Sequence, residues 1–380
     1  MTRVAYVTDA VGMGGGETSL LYHLEACIAS GLIDPVLICP EGDLATTARQ
    51  RRVEVCTLEI CALRYGVRGI IFDFLPKILS LYRTIRSLRI QVVHAESVIA
   101  LCHLLPELLI MSPPLFMTWH GFGNVNNRLA AWLFRKNQFK VFAVSRSAAE
   151  SAVSLVPSDR VVHLPLVVHP SFLESPPRGR EEMLNELHLP AFRPVILQLA
   201  RFQEIKGQLT LLSAYVQARD AGRLRDAILL FVGGVLPGSD QAASDYFERV
   251  KQAAKASKYA SDIFFVSFQS DVVSVLKLAS LLVIPSRYES FGMVAIEAMA
   301  AGIPVLATKS GGLTDIISQG NDGILIDVNN TAEFCEQMDR LISDSALART
   351  LVQNAQQTVR KRYMPRTRVE TLLSYYKERL

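Results

Sequence analysis

The chain has 380 residues, of which 50% are hydrophobic and 20% are charged, and its formal net charge is +4. This composition is typical of a globular protein with a large core, and it excludes a disordered or fibrous chain. The small net charge argues against a nucleic-acid-binding protein, which concentrates basic residues on one surface. Because one hydrophobic core rarely grows beyond roughly 250–300 residues, we expect two domains.

Cysteine usage and the apolar runs indicate a reducing compartment and no membrane span. The six cysteines form no Cys-x-x-Cys pair and no Cys/His cluster with zinc spacing, so we expect reduced, buried thiols. The N-terminus lacks the apolar segment of a signal peptide. The most apolar stretch, residues 98–111, is interrupted by His103 and Pro106 and predicts a buried helix. We therefore predict a cytoplasmic protein.

Short apolar runs alternate with helical patterns along the whole chain, which predicts parallel sheets covered on both faces. The predicted strands are Val4–Val7, Val36–Ile38, Val92–His94, Leu115–Thr118, Val141–Val144, Val195–Leu199, Ile228–Val232, Ile263–Val266, Leu281–Ile284, Val305–Ala307 and Ile324–Ile326. The helices whose two ends the pattern defines are Glu17–Ala29, Arg180–Leu187, Leu209–Arg219, Ala243–Ser257 and Thr367–Leu380.

The alternation is interrupted by a segment rich in Pro, Glu and Arg, which predicts a linker. We accordingly predict two α/β Rossmann-like domains at 1–168 and 194–362, the linker at 169–193, and a C-terminal helix at 363–380 that crosses back to the first domain. Ligands of open α/β sheets bind at the carboxyl ends of the strands, beside the point where the strand order reverses. Two such domains facing each other are expected to hold a ligand in the cleft between them.

The first strand is followed by a glycine-rich loop, Gly12-Met13-Gly14-Gly15-Gly16-Glu17, and then by a helix. Glycine lets the backbone approach a phosphate or a sugar, and a helix N-terminus supplies free amide groups. The loop also resembles a dinucleotide-binding fingerprint, with Glu17 where a glycine is expected. By itself this segment leaves a nicotinamide-dependent oxidoreductase and a tight turn without a ligand as alternatives.

The second domain carries a cationic loop, Arg201-Phe202-Gln203-Glu204-Ile205-Lys206-Gly207, directly after the strand Val195–Leu199. An arginine fork and a lysine point charge at the carboxyl end of a strand suit a diphosphate. Taken alone, two surface cations in a solvated loop explain the same residues.

A second segment, Pro285–Met293, follows the strand Leu281–Ile284 and opens a helix. Glu289 is expected at the mouth of the cleft, with the amides of Phe291, Gly292 and Met293 at the helix start. Glu297 follows within small and apolar residues, where a carboxylate needs partners such as ribose hydroxyls. A structural capping or ion-paired glutamate is the alternative explanation for Glu297. Next come Gly302-Ile303-Pro304-Val305 and the turn Ser310-Gly311-Gly312.

The run ESFGMVAIEAMAAGIPVLATKSGGLTDII, from Glu289 to Ile317, resembles the signature of the retaining glycosyltransferases of family 4, with its Glu-x7-Glu element and its GT-B double-Rossmann fold. The resemblance extends to further segments in the family's order. These are Gly14–Glu17, Trp119-His120-Gly121, Ala143-Val144-Ser145 and the Arg201/Lys206 pair. One departure is Pro165-Leu166-Val167-Val168-His169, where the family commonly has Pro-Asn-Gly-Val-Asp, so the hinge geometry between the domains is expected to differ.

The resemblance implies transfer of a sugar, with retention, from a nucleotide-diphosphate sugar to an unidentified acceptor. UDP is the expected nucleotide from family frequency, and the acceptor classes are a glycan, a lipid-linked sugar or a small-molecule alcohol. The implied catalytic residues are His120, Arg201, Lys206 and Glu289. The implied donor-binding residues are Gly14, Gly15, Arg201, Lys206, Glu289, Ser290, Phe291, Gly292, Met293 and Glu297.

Within that set, the resemblance implies that Glu289 binds the donor sugar and Glu297 the ribose. Arg201 and Lys206 would neutralise the leaving diphosphate, and His120 would lie near the reacting carbon. The chain has no Asp-x-Asp element, so neither a metal nor a cofactor is expected. A nucleotide-sugar epimerase or phosphorylase, the oxidoreductase and a non-catalytic binding module are the alternatives. The Glu-x7-Glu run disfavours the epimerase or phosphorylase. The oxidoreductase leaves the second-domain motifs unexplained, and the presence of every expected donor-site residue disfavours the binding module.

Residues 64–89 include an amphipathic helical pattern at 69–89 with several basic residues. The favoured interpretation is a packed helix with a solvated basic face. The alternative is a peripheral contact with the inner face of the membrane, because family members with lipid-linked acceptors often dock through this domain.

Overall fold

The computed structural model describes residues 1–60, 74–104, 106, 112–121, 134, 139–174, 178–235 and 241–380. The chain forms two compact units. The first consists of Met1–Val167 together with Met364–Leu380, and the second is Val168–Tyr363. The two α/β units match the predicted fold class.

A seven-stranded, all-parallel sheet forms the centre of the first unit. Its strands are β1 (Thr2–Val7), β2 (Ile33–Cys39), β3 (Glu54–Thr57), β4 (Val92–Ala95), β5 (Leu115–Trp119), β6 (Lys140–Ala143) and β7 (Val161–His163). Their spatial order is β3-β2-β1-β4-β5-β6-β7. The order reverses between β1 and β4, so the carboxyl ends of these two strands flank the switch point of the sheet.

The described helices of the first unit are Gly15–Ser30, Asp43–Gln50, Leu75–Ser87, Val98–His103, Arg146–Val153 and Pro365–Lys377. The last of these returns from the C-terminus and packs in the same core as β1. Val369, Leu372 and Tyr376 on this helix are fully buried among Val4 and Tyr6. The C-terminal helix therefore completes the first unit.

The second unit has a six-stranded parallel sheet. Its strands are β8 (Val195–Leu199), β9 (Ile228–Val232), β10 (Ile263–Val266), β11 (Leu281–Ile284), β12 (Val305–Thr308) and β13 (Ile324–Ile326), in the order β10-β9-β8-β11-β12-β13. The described helices are Arg180–Glu186, Gln208–Asp220, Gln241–Ala256, Val272–Leu278, Met293–Ala301, Leu313–Ile316, Thr331–Ser343 and Ser345–Arg362. The strand order reverses between β8 and β11, which places the switch point at the ends of those strands.

The segment 169–193, predicted as a linker from its composition, folds as part of the second unit. Its helix Arg180–Glu186 packs against the helix Val272–Leu278. Arg178 donates from Nε to an Asp271 carboxylate oxygen at 3.0 Å. Composition is typical of a linker here because the helix is short and its exposed positions are charged.

Two strands were not predicted from the sequence, β3 and β7. Both are short edge strands whose residues are largely half-buried or exposed, so neither shows the continuous apolar run of the central strands. Part of the predicted amphipathic helix at 69–89, and of the predicted helix at 98–111, lies outside the described residues.

Candidate functional site

The motifs of the second half meet at the switch point of the second sheet. Arg201 and Lys206 follow β8, Ser286 and Glu289 follow β11, and Ser310 follows β12. Because these three parallel strands are adjacent in the sheet, their carboxyl ends bring the three loops to one edge.

Lys206 and Glu289 form the central ion pair of this edge. Lys206 Nζ lies 2.6 Å from Glu289 Oε1, and the two side chains are 18% and 13% exposed. Ser286 Oγ donates to the same carboxylate oxygen at 2.8 Å. The carboxylate is paired with the lysine, and a bound anion would compete for the ammonium group.

The turn after β12 fixes the backbone around Glu289. Gly312 N donates to Glu289 O at 2.8 Å. Gly311 has φ +49°, and a Cβ there would lie 1.9 Å from Glu289 O, so only glycine allows this approach. Ser310 Oγ donates to Ser286 O at 3.1 Å, which ties the β11 and β12 loops together.

Two polar groups on the next segment have no partner among the described residues. Glu297, on the helix Met293–Ala301, is 7% exposed, and its carboxylate makes no described hydrogen bond or ion pair. Burial raises the pKa of Glu297 to about 7. The Ser290 Oγ is also buried without a hydrogen-bond partner. A buried carboxylate and a buried hydroxyl without partners are groups that a hydrogen-bonding ligand would satisfy.

Arg201 differs from Lys206 in having an exposed side chain. Its guanidinium has no hydrogen-bond or ion-pair partner among the residues that the structure describes. Among the predicted site residues of the second unit, Arg201 is therefore a cation without a partner, Lys206 is a paired cation and Glu297 is a carboxylate without a partner.

In the first unit, His120 follows β5 and the glycine loop follows β1. A Cβ on Gly16 would lie 3.7 Å from His120 Cε1, so the imidazole lies beside the glycine loop. Gly14 precedes the helix Gly15–Ser30, and a Glu17 carboxylate oxygen would lie 2.8 Å from a Cβ on Gly14. The structure thus brings His120 and the predicted glycine loop together, with the Glu17 carboxylate over the loop.

A buried polar chain that the sequence did not single out leads to His120. Tyr376 OH lies 2.6 Å from His94 Nδ1, and His94 Nε2 lies 2.8 Å from Thr118 Oγ1. Thr118 Oγ1 donates to Glu96 Oε1 at 3.3 Å, and Glu96 Oε2 is 3.7 Å from His120 Nε2. Each member follows or lies in a predicted strand or helix, but only the fold joins residues from β4, β5 and the C-terminal helix.

Burial and nearby charged groups set the protonation of His94 and Glu96 in this buried polar chain. Burial lowers the pKa of His94 to about 4, so its imidazole is neutral at pH 7. Burial alone would raise the pKa of the Glu96 carboxyl, but the nearby imidazoles and the buried Arg368 guanidinium bring it below its ordinary value. Glu96 is therefore a buried carboxylate beside the His120 ring.

Among the described residues, none of the helices is long and apolar enough to cross a membrane. Over the same residues, no three His, Cys, Asp or Glu side chains are grouped in a way that would hold a metal ion.

Two doubly wound parallel α/β units of this kind define the GT-B class of glycosyltransferase folds. The solved structure of Anabaena Alr3699/HepE in complex with UDP and glucose is similar with a TM-score of 0.85, over 99% of this chain and 100% of that one, at 20% identity. The family described as Glycosyltransferase Family 4 matches residues 13–172, and the family described as Glycosyl transferases group 1 matches residues 179–358. The chain belongs to glycosyltransferase family 4.

Curated relatives match about half of the chain. A D-inositol 3-phosphate glycosyltransferase of Streptomyces bingchenggensis is 36% identical over 191 residues, which are 49% of this chain and 41% of that relative. An N-acetyl-alpha-D-glucosaminyl L-malate synthase of Bacillus anthracis is 26% identical over 199 residues, 52% of this chain and 48% of that relative. Each alignment thus spans less than half of the relative's own length.

Proposed function

We propose that the protein transfers a sugar from a UDP-sugar to a hydroxyl acceptor, and that the second unit binds the donor. The observation that carries this proposal is the buried Glu297 carboxylate without a partner, on the helix that begins at the same sheet edge as the loop of Arg201 and Lys206. A ribose offers two hydroxyl donors to such a carboxylate, and a diphosphate offers anionic oxygens to the two cations. The solved neighbour in complex with UDP and glucose supports the choice of nucleotide.

The chemistry proposed for this site is departure of the diphosphate with retention at the anomeric carbon. The bond from that carbon to the phosphate oxygen breaks, the acceptor oxygen bonds on the same face, and the acceptor proton passes to the leaving phosphate. Arg201 and Lys206 neutralise the charge that develops on the diphosphate, in the role that a metal has in other transferases. Glu289 binds the donor sugar once the anion has displaced it from Lys206.

The remaining predicted residues keep the roles that the family resemblance gives them. The backbone of Ser290–Met293 is proposed to contact the donor at the start of the helix Met293–Ala301, with the unpartnered Ser290 Oγ as support. Gly14, Gly15 and His120 are proposed to contact the donor from the first unit. The acceptor class is not assigned, because the relatives named above use different acceptors.

The proposal predicts a selective thermal shift. The wild-type protein, heated with a saturating excess of UDP, GDP, ADP or NAD, is expected to be stabilised by UDP, since a ligand of the native state raises the midpoint in proportion to the logarithm of its excess over the Kd. At a 100-fold excess the gain is about 2.7 kcal/mol. Stabilisation by NAD alone would favour a nicotinamide-dependent oxidoreductase over a sugar transferase. If no nucleotide stabilised the protein, a binding module without activity would be favoured.

A peripheral membrane contact is proposed for the helix Leu75–Ser87. Leu75 and Leu79 are 42% and 49% exposed, and Arg83 and Arg86 are exposed further along the same helix. An exposed apolar pair followed by cations fits the surface of an anionic bilayer.

Cosedimentation with vesicles tests this contact. The wild type is expected to bind vesicles that contain about 30% anionic lipid, and added salt is expected to release it. Leu79→Glu is expected to reduce binding severalfold. Leu32→Glu, which changes another leucine that is 40% exposed in the same unit, is the control. Equal binding by both variants would contradict the assignment.

A further inference from the structure

Two buried glutamines lie at the two ends of the cationic loop that joins β8 to the next helix. Gln198 is in β8 and is 3% exposed, and Gln208 is the first residue of the helix Gln208–Asp220 and is 1% exposed. Neither residue belongs to the set that the family resemblance implies.

Each glutamine donates its side-chain amide to the main chain of one cationic residue. Gln208 Nε2 donates to Arg201 O at 2.8 Å, and Gln198 Nε2 donates to Lys206 O at 2.7 Å. Because a carbonyl oxygen can only accept, the amide nitrogen must face it, which fixes the orientation of both carboxamides.

The other atom of each carboxamide has no partner. Oε1 of Gln198 and Oε1 of Gln208 are buried without a hydrogen bond to any described residue. A buried oxygen that has lost its water without compensation destabilises the fold. A methionine of nearly the same length would remove the unpaired oxygen, but it would also leave the loop carbonyl without its donor, so what the glutamine supplies here is the hydrogen bond to the loop.

The middle of the cationic loop is held by the segment that follows β11. Arg287 N donates to Ile205 O at 2.8 Å. Gly207 has φ +71°, and a Cβ there would lie 2.2 Å from Pro285 O. The loop therefore packs directly against the residue that follows β11. The two glutamines fix the carbonyl groups at the loop's ends, where the cations are.

We propose that Gln198 and Gln208 are positioning residues that hold the main chain of Lys206 and Arg201 in place for a diphosphate. The inference rests on the proposed function, which gives the diphosphate to these two cations. Charges held in place before binding stabilise an anion more than charges that must be reordered, because no reorganisation opposes them. The glutamines act through the cations, since their own amides are committed to the loop.

The test compares Gln208→Met and Gln198→Met with the matched control Gln217→Met. Gln217 is on the same helix as Gln208, and its Nε2 donates to Ser213 Oγ at 3.1 Å. We expect the Kd of UDP, measured by calorimetry, to rise about 3- to 10-fold in each of the first two variants. The Kd of UMP, which lacks the β-phosphate, is expected to change less than about twofold, with no change of either Kd in the control.

Equal losses for UDP and UMP, or an unchanged Kd of UDP, would overturn the proposal. Amide hydrogen exchange of residues 200–207 in the unliganded variants tests the loop without any nucleotide. Faster exchange than in the control is required, and unchanged exchange overturns the proposal even if UDP binds the wild type. If the wild type fails to bind UDP while the loop exchanges faster, the proposed function is at fault instead. If Gln198→Met does not fold, Gln208→Met decides alone.

Discussion

Replacing Lys206 with alanine is expected to lower the rate of UDP release from a UDP-sugar about 100-fold or more, and to weaken UDP binding much less. The ammonium group lies 2.6 Å from Glu289, and we propose that it binds the diphosphate in the reaction. There it opposes charge that is greatest in the transition state, so its loss acts mainly on turnover. Steady-state UDP release and calorimetric UDP binding separate the two effects.

A matched control is available in the same unit. Lys258→Ala removes another lysine from an ion pair, since Lys258 Nζ lies 2.6 Å from Asp220, but on exposed side chains between the helix Gln241–Ala256 and β10, outside the motif loops. This variant is expected to keep its rate. A loss of UDP affinity with normal turnover in Lys206→Ala would contradict the role of Lys206 on the leaving group.

Glu297→Gln is expected to stabilise the unliganded protein above pH 7 while weakening UDP binding. Burial raises the pKa of Glu297 to about 7. The folded protein therefore holds this proton more tightly than the unfolded chain, whose glutamates titrate near about 4.3. The stability that protonation supplies is fully present below that unfolded value and is lost as pH rises through 7.

Above pH 7 the ionised carboxylate is expected to cost on the order of 3 kcal/mol of folding free energy, which the neutral amide avoids. Urea unfolding from pH 4 to pH 8 should show the fall in the wild type and a flatter profile in the variant. UDP affinity should fall by about 1–3 kcal/mol, because charged hydrogen bonds to the ribose are lost. Glu336→Gln, at an exposed position in the same unit, is the control. An unchanged UDP affinity would remove Glu297 from the site, and destabilisation at pH 8 would indicate an ion partner.

The apolar runs of the sequence determined the strands of the second sheet most closely. β8, β9, β10, β11 and β13 have the predicted bounds, because each of these parallel strands is a continuous apolar run. The run from Glu289 to Ile317 predicted the family, and the family matches confirm it. The order of the motifs also placed the candidate site at the ends of strands, since a loop directly after a parallel strand can lie nowhere else.

Tertiary structure alone decided which side chains meet. Lys206 and Glu289 are 83 residues apart, and Tyr376 and His94 are 282 residues apart, yet each pair is in direct contact. No local pattern encodes such pairs, because they depend on strand order and on where the chain returns. The sequence likewise could not show that Glu297 is buried without a partner or that two glutamine amides hold the cationic loop. Burial and hydrogen bonding are properties of the packed sheet edge, and periodicity reports only which face of a segment is apolar.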